Sequence, residues 1–195
     1  MIYGLTGGIG AGKTAVANML KDRGFRVLNS DDISREVTRK DGPLLRLLVK
    51  DFGIEIIQED GELNRRKLAE IAFADKDKTR RLNELVQTAI LVRAIEKVSR
   101  LRFLHKDDVI FFEVPLLFEA GWDNFVNKIW LVTAPTEERM SRVMERDGLT
   151  QDEIKARMKL QMTEEEKIKR SDVIINNTGD LEDLERQVDA AIAAM

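Results

Sequence analysis

Gly7-Gly8-Ile9-Gly10-Ala11-Gly12-Lys13-Thr14 has the spacing Gly, four residues, Gly, Lys, Ser or Thr, and residue types in that order suit a triphosphate. Glycines let backbone N–H groups turn inward where a Cβ would clash. Lys13 adds a point charge for the β and γ oxygens, and Thr14 offers a hydroxyl to Mg²⁺. The flanks agree: Ile2-Tyr3-Gly4-Leu5-Thr6 is an apolar run of strand length, and Ala15 to Leu20 is helical in period. An isolated glycine-rich turn could form for backbone reasons alone, but Lys13-Thr14 at a helix start, where dipole and free N–H groups favour anions, points to ATP or GTP. The expected phosphate contacts are Gly8, Ile9, Gly10, Ala11, Gly12, Lys13 and Thr14.

Two further stretches carry acids to places where chemistry could use them. Phe25-Arg26-Val27-Leu28 reads as a second strand and runs into Asn29-Ser30-Asp31-Asp32. Strand, helix, strand implies a parallel sheet, whose ligands lie beyond the carboxyl ends of the strands. Asp31 or Asp32 could therefore reach a substrate hydroxyl, or could cap a helix starting near Ile33; two adjacent acids allow both roles. Val109-Ile110-Phe111-Phe112-Glu113 is an apolar run ending in a carboxylate, the pattern of a buried parallel strand. Glu113 would hold Mg²⁺ through water.

The elements that must position these groups follow from periodicity. Lys128 to Val132 and Asp172 to Asn177 read as the remaining strands, and Leu181, Leu184, Val188, Ala191 and Ile192 as the buried face of a closing helix. Between Ser34 and His105 no central strand is predicted. Helices are expected over Pro43 to Phe52, Asn64 to Phe73 and about Lys78 to Arg102, with Leu91, Ala94, Ile95, Val98 and Leu101 as one apolar stripe. Arg65-Arg66-Lys67 could face an anionic acceptor, although spacing alone favours a solvated face. His105 reads as a surface residue. Arg139, Arg142 and Arg146 lie on one helix, the last two at i, i+4, and Thr150 with Glu153 forms a capping box for the next. The segment from Arg139 to Lys169, with Gly148 as hinge, suits a mobile lid whose arginines close over transferring phosphate; an ordinary helical hairpin is the alternative.

Composition sets bounds. The 195 residues are 43% hydrophobic and 34% charged, enough for one compact unit with an inserted subdomain. A net charge of −3 gives no basic footprint and argues against nucleic acid as main partner. No apolar run approaches the roughly 18 residues needed to span a bilayer, and the start at Met1-Ile2 has no leader pattern, so a cytoplasmic address is expected. Zero cysteines exclude disulfides, zinc thiolates and a thiol nucleophile.

Nearly end to end, the residues resemble the dephospho-coenzyme A kinases. The likeness is carried by Leu5 to Lys13, Ser30-Asp31 with Arg35, Leu63-Asn64-Arg65 with Leu68 and Phe73, and Val114-Pro115-Leu116-Leu117-Phe118-Glu119. It continues through Arg142 with Arg146-Asp147, Arg157 with Gln161, and Asp172 to Asn177. The resemblance implies an α/β, three-layer P-loop fold like that of nucleoside monophosphate kinases: a central parallel sheet, helices on both faces, a helical acceptor insertion and a helical lid. It divides the chain into a core (1–33, 106–138 and 171–195), an acceptor region (34–105) and a lid (139–170). The reaction it implies is phosphorylation of the ribose 3′-hydroxyl of dephospho-coenzyme A by ATP with Mg²⁺, in a monomer or weak homo-oligomer. Asp31, Lys13 and Arg142 would be catalytic, and Arg146 and Asn177 would join the loop on ATP. Asp31, Arg65, Gln87 and Glu113 would meet the acceptor, and Thr14 and Glu113 the metal. Related nucleoside monophosphate kinases and nucleotide-dependent switches share the loop. The family usually has Asp where this chain has Asn29, and His-Pro where it has Gln87-Thr88, both on the acceptor side.

Overall fold

The computed structural model describes residues 1–105 and 108–195. In chain order the elements are β1 (Ile2–Gly7), α1 (Lys13–Asp22), β2 (Arg26–Asn29), α2 (Ser30–Val37), α3 (Pro43–Phe52), α4 (Arg65–Phe73), α5 (Lys76–Leu104), β3 (Ile110–Glu113), β4 (Lys128–Thr133), α6 (Thr136–Asp147), α7 (Gln151–Lys159), α8 (Glu164–Lys169), β5 (Val173–Asn176) and α9 (Leu181–Ala193). They form two compact units, one from Met1–Asn29 with Asp107–Met195 and one from Ser30–Lys106.

The first unit is built on a five-stranded sheet in the order β2-β3-β1-β4-β5, with every pairing parallel. Parallel neighbours need a crossover, which is why strands alternate with helices; β1 and β3 are buried throughout and apolar but for Thr6 and the terminal Glu113. Alternation then divides the strand residues between two faces. Tyr3, Leu5, Phe111, Trp130 and Val132 pack with Val16 and Leu20 of α1 and Leu184 and Val188 of α9. On β3, Phe112 points the other way and stacks on Trp122 at 5.8 Å between centroids. Trp130 is fully buried, with the rings of Phe111 and Tyr3 at 5.0 and 6.4 Å. The architecture is the α/β form that the sequence reading expects, a central parallel sheet packed with helices.

The second unit is helical. α3 begins on Pro43, which needs no N–H partner at a first helical position, and ends at Gly53. Its Leu44, Leu45, Leu48 and Phe52 meet Ile56, Leu63, Leu68 and Ala72 in one core. α5 is 29 residues long and is capped by the preceding Asp75, whose side chain accepts from the N–H groups of Asp77 and Lys78 at 2.8 and 2.9 Å. Its stripe differs from the sequence reading. Ile90, Ala94 and Val98 are buried at steps of four, whereas Ile95 is exposed and Leu91 and Leu101 are half-buried. Residue 95 shares its apolar type with the stripe but lies about 100° round the helix from Ala94. His105 is exposed, as its charged surroundings suggest. Among the described residues no helix is long and apolar enough to cross a membrane.

Because Trp130 has no exposed surface and packs in the core against the rings of Phe111 and Tyr3, Trp130→Ala should cost about 3–5 kcal/mol. Chemical denaturation followed by circular dichroism is expected to show a lowered midpoint for this variant.

Candidate active site

The turn from β1 into α1 is where sequence and geometry meet most closely. Gly12 caps α1 in the left-handed region, at φ 96° and ψ 21°, a conformation a side chain would strain. A Cβ on Gly12 would also displace Nδ2 of Asn177. That amide donates to the carbonyl of Ala11 at 2.9 Å, so Asn177, just past β5, braces the loop. Lys13 donates through Nζ to the carbonyls of Gly7 at 2.8 Å and Gly8 at 3.2 Å, which keeps its ammonium over the loop. Thr14, in the first turn of α1, is exposed. Gly8 to Gly12 thus form one turn into the N-terminus of a ten-residue helix, where the backbone dipole adds to the Lys13 charge.

Glu113 ends β3 and is buried at 4% exposure. Register pairs it with Leu5 of β1 and with Asn29 of β2, and the Asn29 amide donates to its Oε2 at 2.6 Å. A neutral amide at position 29 therefore stands beside the carboxylate. Among the described residues there is no group of three or more His, Asp or Glu that could hold a metal ion. Mg²⁺ in kinase sites is bound by one or two protein oxygens together with substrate phosphates and water, which is the donor set that Thr14 and Glu113 offer.

Arg142 and Arg146 of α6 differ in setting. Arg142 donates through Nη2 to Glu138 at 2.9 Å and to the carbonyl of Asn177 at 3.0 Å, and its Nη1 is buried without a hydrogen-bond partner. Arg142 and Asn177 are therefore brought together with the loop. Arg146 makes a two-pronged pair with Asp147 at the exposed end of the helix, and that carboxylate is held below its ordinary range by the guanidinium. After Gly148, which closes α6 at φ 66°, the Thr150–Glu153 capping box is present.

The remaining predicted residues belong to the helical unit. Asp31 and Asp32 lie in the first turn of α2, which begins one residue after β2 ends, and Asp32 pairs with Arg35 at 3.0 Å. Arg65 opens α4, donates to Thr38 Oγ1 at 2.6 Å and makes no ion pair among the described residues. It lines a cavity of about 200 Å³ together with Ser34, Thr38, Leu68, Asn83 and Val86. Gln87 is half-buried midway along α5, and the helix passes Gln87-Thr88 without a break.

Three residues that touch the loop carry no individual role in the sequence reading. Arg139 is buried and paired with Glu164, and Gln161 accepts the N–H of Ile9. A weak signal existed for one: Thr163 and Glu166 have the spacing of a second capping box, which is present and fixes where α8, and so Glu164, begins.

The Dephospho-CoA kinase family profile matches residues 1–183. The dephospho-CoA kinase of Carboxydothermus hydrogenoformans is 37% identical over 96% of this chain and 90% of its own length. That of Thermus thermophilus is 40% identical over 100% and 92%. The crystal structure of TT1252 from Thermus thermophilus, 39% identical, covers 100% of this chain and 97% of its own with a TM-score of 0.85. A profile match over residues 1–183 and relatives 37–40% identical over nearly the whole length show that this chain belongs to the dephospho-CoA kinase family.

Proposed function

We propose that the protein transfers the γ-phosphoryl group of ATP to the ribose 3′-hydroxyl of dephospho-coenzyme A, giving coenzyme A and ADP. The observation that carries this reading is the intact loop from Gly7 to Thr14 at the start of α1 in a chain that matches the family over residues 1–183. The acceptor oxygen forms a bond to the γ-phosphorus as the bond from that phosphorus to the β,γ-bridging oxygen breaks. The hydroxyl proton goes to a carboxylate, and Asp31 in the first turn of α2 is the group assigned to it. The loop N–H groups, Lys13 and Arg142 carry the charge that spreads over the phosphoryl oxygens. Arg146 serves the donor side, and Arg65 and Gln87 serve the acceptor. Mg²⁺, held by Thr14 and by Glu113 through water, would neutralise β and γ oxygens when bound. A cytoplasmic setting and a monomer or weak homo-oligomer go with this reading, and helices α6 to α8 act as its lid.

The purified protein should be offered ATP and Mg²⁺ with dephospho-coenzyme A, AMP, GMP, dCMP or dTMP in separate reactions, and ADP release followed. Dephospho-coenzyme A is expected to be turned over fastest. Equal or better turnover of a nucleoside monophosphate would replace the acceptor, and ATP hydrolysis indifferent to every acceptor would indicate a switch.

Lys13→Ala removes charge where it develops and should lower kcat about a hundredfold or more. Asp31→Asn keeps shape while losing the base, so kcat is expected to fall on the order of 10²–10⁴-fold with ATP binding near normal. Asp32→Asn should be milder, and calorimetric ATP titration beside steady-state kinetics separates these outcomes. An essential Asp32 with a dispensable Asp31 would shift the assignment by one residue.

A further inference from the structure

The first half of the phosphate loop is held from one side by the stretch that runs from α6 to α8. A Cβ on Gly8 would collide with Nη1 of Arg139, and one on Gly10 with the Arg139 carbonyl and, at 2.9 Å, with Val143. Between those two glycines the N–H of Ile9 donates to Oε1 of Gln161 at 3.1 Å. Three consecutive loop residues are thus in contact with α6 or with the α7–α8 connection.

Each contact has its own backing. The Arg139 guanidinium pairs with Glu164 at 3.2 Å and reaches Thr136 Oγ1, also at 3.2 Å, while Glu164 accepts from Thr133 at the end of β4. Next to Gln161, the N–H of Met162 donates to Glu119 Oε1 at 2.8 Å, and the same carboxylate pairs with Lys167, which is 1% exposed. Gln161 is therefore fixed from both sides of the chain: its side chain ends on the loop, and the next peptide ends on Glu119. An amide with its neighbours so constrained sets where Ile9 can be.

We propose that Gln161 is a positioning residue for the donor nucleotide. By accepting the Ile9 N–H, while Arg139 of the Arg139–Glu164 pair lies against Gly8 and Gly10, Gln161 holds Gly8 to Gly10 in the shape that receives the phosphates. The inference rests on reading the loop as the donor site, and it is independent of which acceptor the enzyme uses. By linkage, nucleotide bound to the loop must in turn hold the α7–α8 connection in place.

Gln161→Met keeps length and loses the strong acceptor; Gln161→Glu keeps an acceptor at the same reach. ATP binding is measured calorimetrically without acceptor, together with both KM values, the melting temperature and hydrogen exchange at the Ile9 amide. For Gln161→Met the expectation is faster exchange at Ile9 and ATP binding weakened about five- to tenfold, with acceptor KM unchanged. Gln161→Glu should retain Ile9 protection, though its charge will itself oppose phosphate. ATP binding by Gln161→Met equal to that of the parent, or a joint rise of both KM values with a fallen melting temperature, would overturn the proposal. Should Gln161→Met fail to fold, Arg139→Gln combined with Glu164→Gln tests the backing pair, with weaker ATP binding in support and unchanged binding against. A parent protein that binds ATP but ignores dephospho-coenzyme A would remove the proposed acceptor and leave this inference standing.

Discussion

A backbone that must offer N–H groups to phosphate cannot tie all of them up in secondary structure, and this constraint organises the strand-bearing unit. Between β1 and α1 the chain has no ladder to support it, so its shape comes from what presses on it. The Val132 carbonyl approaches Gly7, Arg139 lies against Gly8 and Gly10, and Asn177 lies against Gly12. These residues come from the end of β4, from α6 and from just past β5. The parallel register that puts those ends on one rim is thus as necessary to the loop as its glycines are.

The same rim concentrates charge, and the surrounding pairs keep it in place. Arg142 is tied to Glu138, Arg139 to Glu164 and Lys167 to Glu119. The last two pairs are largely desolvated, so removing one partner would leave an uncompensated charge at a cost of about 3–5 kcal/mol, even though the intact pair need contribute little net stability. Exposed pairs such as Arg80–Asp77 or Arg186–Glu182 are of a different kind and contribute at most about 1 kcal/mol each.

What could be read from the sequence was whatever is local. Gly7 to Thr14 announces itself because all its requirements fall within eight residues, and the runs ending in Glu113 and Val132 read as buried strands because both faces are covered. The cap at Thr150 was legible for the same reason. Strand order was not, because nothing in Ile110–Glu113 says that it will lie between β1 and β2. Arg139 was one arginine among three on a charged helix, and only the approach of Glu164, 25 residues later in the chain, distinguishes it. The phase of α5 slipped because Ile90 and Ile95 are equally apolar, and packing alone decides which is buried. Asp31 and Asp32 remain separable only by chemistry, since both occupy the first turn of α2.

The placement of the aromatic residues has a spectroscopic consequence. Both tryptophans, Trp122 and Trp130, and the single tyrosine, Tyr3, belong to the strand-bearing unit, and the helical unit has none. Tryptophan and tyrosine fluorescence of the native chain accordingly has no emitter in Ser30–Lys106, whereas far-ultraviolet dichroism reports the helices of both units, the 29 residues of α5 among them. One signal follows the strand-bearing unit and the other both units together, so their coincidence or separation during unfolding reads whether the units melt as one cooperative body.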